Sequence, residues 1–297
     1  MKLNIYLETK KSLIDNALET FFAERKSNKK ESPFSLLYEA MHYSLFPSGK
    51  RLRPILTCAA AEAIGGKTED VLDIACAIEM VHTYSLIHDD LPAMDDDDYR
   101  RGKPTNHIKY GEATAILAGD ALVTEAFGLI AQARKKLNIP SDTLLEIIED
   151  LALACGASGM IGGQLLDIQI QEKSEDEINY PELEFLYIRK TGNLILAAIT
   201  SGAKALKASE KQIKALTQYG INLGLAFQVV DDILDMHDNY RGPDGGKKPA
   251  FPTILSLDET KQRSWELASR AVEALKEFDQ KADPLREIAH YVVERRE

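Results

Sequence analysis

Cysteine is scarce in this 297-residue chain, and its three copies, Cys58, Cys76 and Cys155, fit neither a disulfide framework nor a thiolate metal motif. They lie in apolar stretches and read as buried, reduced thiols of a cytoplasmic protein. Alternation of apolar and polar residues, the mark of strands, is nearly missing. The N-terminus, MKLNIYLETKK, has too short an apolar run for a signal peptide, which needs about 7–15 such residues. No stretch reads as the ~18–20 apolar residues of a membrane span. The longest candidate, Leu151 to Leu166, is interrupted by Gly156, Ser158, Gly159, Gly162, Gly163 and Gln164. Positive charge is in deficit: 36 Lys and Arg against 47 Asp and Glu leave a net charge of −11. Nucleic acid and anionic membranes repel such a chain, so neither is an expected partner, and any basic cluster works locally.

Apolar residues make up 44% of the chain, enough for a large core. Proline and glycine cut it into helical segments: Leu3–Glu24, Phe34–Leu45, Arg53–Ile64, Glu69–Asp90, Glu112–Lys136, Ser141–Gly159, Pro181–Leu206, Glu210–Asp235, Asp258–Gln280 and Leu285–Arg296. No repeat or long linker divides them, so one all-α domain over residues 1–297 is expected. Glu69–Asp90 is apolar on nearly every side until its end, and so is the second half of Glu210–Asp235. Both read as central, buried helices. Both then finish on aspartates, where a poor helix former meets the partial negative charge of a helix C-terminus. The same rule broken twice points to function.

The first acidic cluster is DDLPAMDDDD, Asp89–Asp98, and the second is DDILD, Asp231–Asp235. Helical spacing puts Ile78, His82, Ser85 and Asp89 on one face, and Gly224, Gln228, Asp231 and Asp235 on another. Two carboxylates 4 Å apart repel by about 4 kcal/mol at an effective dielectric near 20. A divalent cation removes that cost, and oxygen-only ligands point to Mg²⁺ rather than Zn²⁺. Two basic clusters accompany them: SGKRLRP, Ser48–Pro54, where Lys50 and Arg53 are three apart at a helix start, and Arg100–Arg101. Metal held by the acidic ends can carry one polyphosphate, and basic groups can hold a second without metal. The layout suits two diphosphates side by side.

HDDLPAMDDDDYRRGKPTNH, GKRLRP, RKTGNLI, GGQLLD and LGLAFQVVDDILD resemble the blocks of bacterial farnesyl and geranylgeranyl diphosphate synthases, in order from about Ser35 to Leu257. The resemblance implies an isoprenoid-synthase-like bundle of about ten or more helices around a central cavity, working as a homodimer. It implies that Asp89, Asp95 and Asp231 ligate Mg²⁺, about three ions with substrate bound, supported by Asp90, Asp232 and Asp235. Arg100, Lys190 and Lys248 then contact the allylic diphosphate, while Thr191 and Gln228 face the carbocation. Gly49, Lys50, Arg53, His82 and Arg101 hold isopentenyl diphosphate. The released diphosphate accepts the proton. Tyr84, five residues or about 7.5 Å before Asp89 along the helix, is the expected floor of a fifteen-carbon pocket, with small Ser85 leaving room above it.

One region departs from the family. The loop between Asp235 and Lys248 is short, and Ala250-Phe251-Pro252 replaces the usual Thr-Tyr-Pro, which puts Lys248 in question. Three alternatives stand beside a farnesyl diphosphate synthase. One is a geranylgeranyl diphosphate synthase. Another is a terpene cyclase, which needs neither GKRLRP nor a second Asp-rich motif. The last is a catalytically silent partner subunit, which usually loses Asp-rich residues.

Overall fold

The structure, a computed structural model, describes residues 2–27, 33–46, 49–173, 177–237 and 250–295. Helix follows helix: α1 (Leu3–Ser27), α2 (Ser35–Leu45), α3 (Leu52–Ile64) and α4 (Leu72–Asp89). A hairpin of two-residue strands, β1 (Tyr99–Arg100) and β2 (Lys103–Pro104), interrupts them. Then come α5 (Asn106–Tyr110), α6 (Glu112–Ala133), α7 (Ser141–Cys155), α8 (Met160–Gln171) and α9 (Tyr180–Tyr187). After a π-helical turn over Ile188–Gly192, the chain continues as α10 (Asn193–Ala205), α11 (Glu210–His237), α12 (Phe251–Ile254), α13 (Leu257–Ala274) and α14 (Asp283–Glu294). The all-α expectation is met.

Local chemistry sets the boundaries. Gly65, at φ 105°, takes the left-handed conformation that ends α3. Ser256 and Glu259 exchange backbone hydrogen bonds in a capping box that starts α13. Asn179 caps α9, whose first turn holds Pro181. α4 is buried along most of its length, between α3, α6, α1 and α10.

Three expected helices are corrected. Glu69–Asp90 begins as a separate 3₁₀ turn, Thr68–Asp70. Ser141–Gly159 ends at Cys155, and the glycine-rich stretch after it opens an unexpected helix, α8. Pro181–Leu206 is broken by the π turn. α6 also corrects the membrane reading. By length and composition it is apolar enough to cross a membrane, because Ala, Gly and Thr extend its apolar run. One side of it packs on α4, while Ile116 and Leu117 on the other stay exposed.

Two apolar clusters fill the interior. The larger joins α1–α4, α6, α7, α10, α14 and the first half of α11, and it also takes in Met160 of α8 and Ala271 of α13. The smaller joins α8, α9, α12, α13 and the second half of α11. α11 passes from one to the other at Gly224, where an added Cβ would stand 2.9 Å from Gly192 Cα. The missing side chain at Gly224 lets α11 and the π turn cross backbone to backbone.

Candidate active site

The first acidic cluster sits where α4 stops. The Asp95 N–H donates to the Asp89 carbonyl over 2.9 Å, folding DDLPAMD back so that Asp95 returns beside Asp89. Burial pushes the Asp89 carboxyl up to about 6; Lys190 opposes the shift and Asp95 adds to it. Asp90 is likewise pushed up to about 6 by burial, against the pull of Arg100. Arg100 donates through Nε and Nη2 to Asp90 Oδ1, each at 2.6 Å, and lies 3.4 Å from Asp97. Asp90 therefore supports the site by holding Arg100.

The second cluster closes α11. Asp231 Oδ1 accepts from Arg295 Nη2 at 2.5 Å, and the same nitrogen donates to the Phe227 carbonyl at 2.9 Å. Asp232 accepts from Tyr187 Oη at 2.9 Å, from Gln228 Nε2 at 3.2 Å and from the Phe251 N–H at 2.8 Å. Burial still pushes its carboxyl up to about 7. Its support is likewise indirect: it ties α9 and α12 to α11. Phe251, the departure noted in the sequence, is fully buried and packs its ring 5.2 Å from those of Tyr180 and Tyr187. Asp235 is exposed.

Between the clusters lies the π turn, a rare geometry that recurs at functional sites. Thr191 Oγ1 donates to Gln228 Oε1 at 3.0 Å, so Thr191, Gln228 and Asp232 form one relay of hydrogen bonds. Lys190 Nζ pairs with Asp167, the last residue of GGQLLD.

The basic side starts from Arg51. It stands at φ 52°, 2% exposed, with its guanidinium on Glu79 at 2.6 Å, Asp15 at 2.8 Å and the Leu45 carbonyl at 2.7 Å. The left-handed turn ends the loop and starts α3 at Leu52, so Lys50 precedes the helix rather than sharing its first turn with Arg53. Arg53 Nη1 lies 3.3 Å from His82 Nε2. Burial first, then Arg53 and its fellow arginines, hold His82 well below its ordinary value. His82 is thus neutral, and its Nε2 accepts from Arg53. Arg101, at φ 53°, lays its guanidinium against Gly49.

A cavity of about 650 Å³ is lined by Gly49, Lys50, Arg53, His82, Arg101 and Arg295 among others. A second, of about 480 Å³, carries Asp89, Lys190 and Thr191 and runs past Ser85 to Tyr84 among Met160, Ile161, Leu165 and Ile168. Arg53 and His82 line both. One cavity is basic and the other mostly apolar, and they adjoin across that pair. Lys248 lies outside the described residues, as does most of the shortened loop.

Among the described residues, no three His, Cys, Asp or Glu side chains form a self-contained metal cage. The donor set nonetheless fits Mg²⁺, which takes one or two carboxylates and fills its shell with water and substrate oxygens. Carboxyls raised by burial are groups that a cation returns to their ionised form.

Arg51, Arg295, Asp167 and Gln164 escaped the sequence reading of roles. Arg51 lies in SGKRLRP between two residues that carry roles and is given none, and Arg295 meets its partner across 64 positions. Asp167 and Gln164 lie in a motif that carried no role.

A helical shell, two acidic helix ends, a basic cradle and an apolar shaft define an enzyme class that grows a hydrocarbon on a diphosphate. A family model, "Polyprenyl synthetase", matches residues 34–282. Geranylgeranyl diphosphate synthase of Cyanophora paradoxa is 43% identical over 297 residues, 98% of this chain and 95% of that relative. Farnesyl diphosphate synthase of Micrococcus luteus is 43% identical over 275 residues, 90% of this chain and 92% of the relative. The crystal structure of an FPP/GFPP synthase from Zymomonas mobilis superposes with a TM-score of 0.86 at 35% identity, covering 97% of this chain and 99% of that one. The chain belongs to the polyprenyl synthetase family, and it is a prenyltransferase.

Proposed function

We propose that the chain, as one catalytic domain, condenses isopentenyl diphosphate with dimethylallyl and then geranyl diphosphate to make farnesyl diphosphate. The observation that carries this reading is the apolar cavity that opens at Asp89, Lys190 and Thr191 and meets the Tyr84 ring. Asp89, Asp95 and Asp231 hold Mg²⁺ with the allylic diphosphate, and Asp90, Asp232 and Asp235 support them. Bound there, Mg²⁺ supplies electrostatic stabilisation of the departing diphosphate. Arg100, Lys190 and Lys248 add positive charge on the same leaving group. Lys50, Arg53 and Arg101 orient isopentenyl diphosphate in the basic cavity, with neutral His82 fixing Arg53 and Gly49 seating Arg101. Thr191 and Gln228 direct oxygens at the allylic cation, and the apolar walls keep water from it. The released diphosphate takes the proton lost on condensation.

Relatives named for farnesyl and for geranylgeranyl diphosphate both match, so the twenty-carbon product is the competing reading. Incubating the purified chain with isopentenyl diphosphate, each allylic primer and Mg²⁺, then weighing the products by mass spectrometry, separates the two. No product at all refutes the enzyme reading and leaves a silent subunit.

We also propose a homodimer in the cytoplasm. Ile116 and Leu117 on α6, 43% and 57% exposed, and Leu145 and Leu153 on α7, 62% and 60% exposed, support a second copy covering this side. Analytical ultracentrifugation of Leu117→Glu tests it: a wild-type mass for the variant, or a monomeric wild type, counts against it. Three buried free cysteines are consistent with a reducing compartment.

A further inference from the structure

Gln164, in GGQLLD, lines the elongation cavity, while both polar atoms of its amide are buried. Its side chain is 8% exposed, and among the described residues neither Nε2 nor Oε1 has a hydrogen-bond partner. An amide left this way is destabilising, and such groups in a folded protein call for an explanation. Its position supplies one. α8 presses against the π turn at Gly163, where an added Cβ would come within 2.4 Å of the Lys190 nitrogen. That approach places the next residue, Gln164, in the wall of the cavity lined by Asp89, Lys190 and Thr191. Met160, Ile161 and Ile168, within a turn of it on α8, line the same cavity and are apolar. Gln164 is therefore a polar interruption in an apolar wall beside the reacting end.

We propose that Gln164 is a substrate-facing catalytic residue whose amide oxygen stabilises the allylic cation. The inference rests on the prenyl-elongation reading. In the step concerned, the allylic carbon–oxygen bond breaks and its electron pair leaves with the diphosphate. The amide forms no bond. It turns a neutral dipole toward the positive charge, which gains most in a dry, low-dielectric wall. A carboxylate at this place would risk capturing the cation, and an apolar side chain would leave its support to Thr191 and Gln228 alone.

The free protein and the reaction then make opposite demands on one side chain, and that opposition is the test. Gln164→Met keeps the unbranched shape and removes both unpaired atoms. Its melting temperature should rise by roughly 2–5 °C, because a buried unmet amide is gone. Its kcat should fall by at least ~10-fold, with KM for either substrate moving less than about threefold, the pattern of an interaction made only in the transition state. A group that merely supports the fold gives the reverse, a lower melting temperature with kcat per folded enzyme unchanged, and that result overturns the proposal. So does an unchanged kcat with a raised melting temperature. If Gln164→Met does not fold, Gln164→Asn, which withdraws the amide by one methylene, should show the same kcat loss with KM held; wild-type kcat there overturns the proposal. A wild-type enzyme that forms no prenyl product fails the underlying reading instead, and the two failures are told apart by that control.

Discussion

Product length should respond in opposite directions to two substitutions at the end of the cavity. The floor is a stack. The Tyr84 ring meets the His88 ring edge-on, with centroids 5.6 Å apart, and His88 Nε2 lies 3.0 Å from the Ile116 carbonyl. Gly119 backs His88 so closely that an added Cβ would lie 2.2 Å from Nε2. Tyr84→Ala removes the ring and leaves Val81 and Met80 as the next side chains on that face. Met80 is one turn deeper, about 6 Å at 1.5 Å per residue, which should admit a further isoprenyl unit and move the main product to twenty carbons or more. The ring is 6% exposed, so its loss should destabilise by ~3–5 kcal/mol and lower the melting temperature by roughly 10 °C. Gly119→Ala works the other way. The new methyl displaces His88 from α6 toward the cavity it already lines, and the product should shorten to ten carbons. Overpacking there costs about 1–3 kcal/mol. Mass spectrometry of products made below both melting temperatures reads the outcome. If both variants are folded and active and both still stop at fifteen carbons, the stack is not the floor. If the wild type already makes twenty carbons, the length assignment fails first.

Three further outcomes are expected. In the absence of metal, Asp89→Asn should melt higher than the wild type at pH 7.5, and the difference should shrink to roughly a third by pH 4.5 and vanish only below about pH 3.9. The folded carboxyl, at about 6, binds protons more tightly than the unfolded one near 3.9, so the wild type loses stability as pH rises between those values; a gap that stays constant from pH 4.5 to 7.5 refutes this. Arg51→Met breaks a buried pair with Glu79 and should destabilise by ~3–5 kcal/mol, while Arg51→Met with Glu79→Met should recover much of it; purely additive losses in denaturant titrations would show that the pair is not coupled. Lys50→Ala and Arg53→Ala should raise KM chiefly for isopentenyl diphosphate, and Arg100→Ala and Lys190→Ala should act chiefly on the allylic substrate, with steady-state kinetics that treat all four alike ruling out separate sites.

α4 and the end of α11 are legible because an all-round apolar helix must be buried and aspartates at its C-terminus oppose both propensity and dipole. The adjoining cavities follow from the same residues, since Arg53 and His82 come from two motifs already marked. What periodicity misses is set by close approach. α8 opens on glycines that read as a break, yet Gly163 is needed there because Lys190 backbone lies against it. The π turn carries no local signal, since its register comes from packing with α8 and α11. Arg51 and Arg53 look alike in GKRLRP, but only the left-handed turn decides that Arg51 points into the core and Arg53 into the cavities. The replacement of Thr-Tyr-Pro by Ala-Phe-Pro looks like a loss; the Phe251 N–H on Asp232 and its buried ring make it an anchor.

The glycine pair at Gly192 and Gly224 has a mechanical consequence. α10 and the first half of α11 belong to the larger apolar cluster, whereas α9 and the second half of α11 belong to the smaller. Lys190, Thr191 and Gln228 therefore stand on a seam, with Tyr84 and His82 on one bank and Asp232, Tyr187 and Phe251 on the other. Side chains interlocked across such a boundary resist sliding, because packed interiors move between discrete arrangements rather than deform smoothly. Gly224 offers no side chain to interlock, but α8 and α13 each lodge side chains in both interiors, Met160 and Ile170 on α8 and Leu267 and Ala271 on α13, so the seam is pinned on either side and the reacting groups stand on a joint that resists sliding.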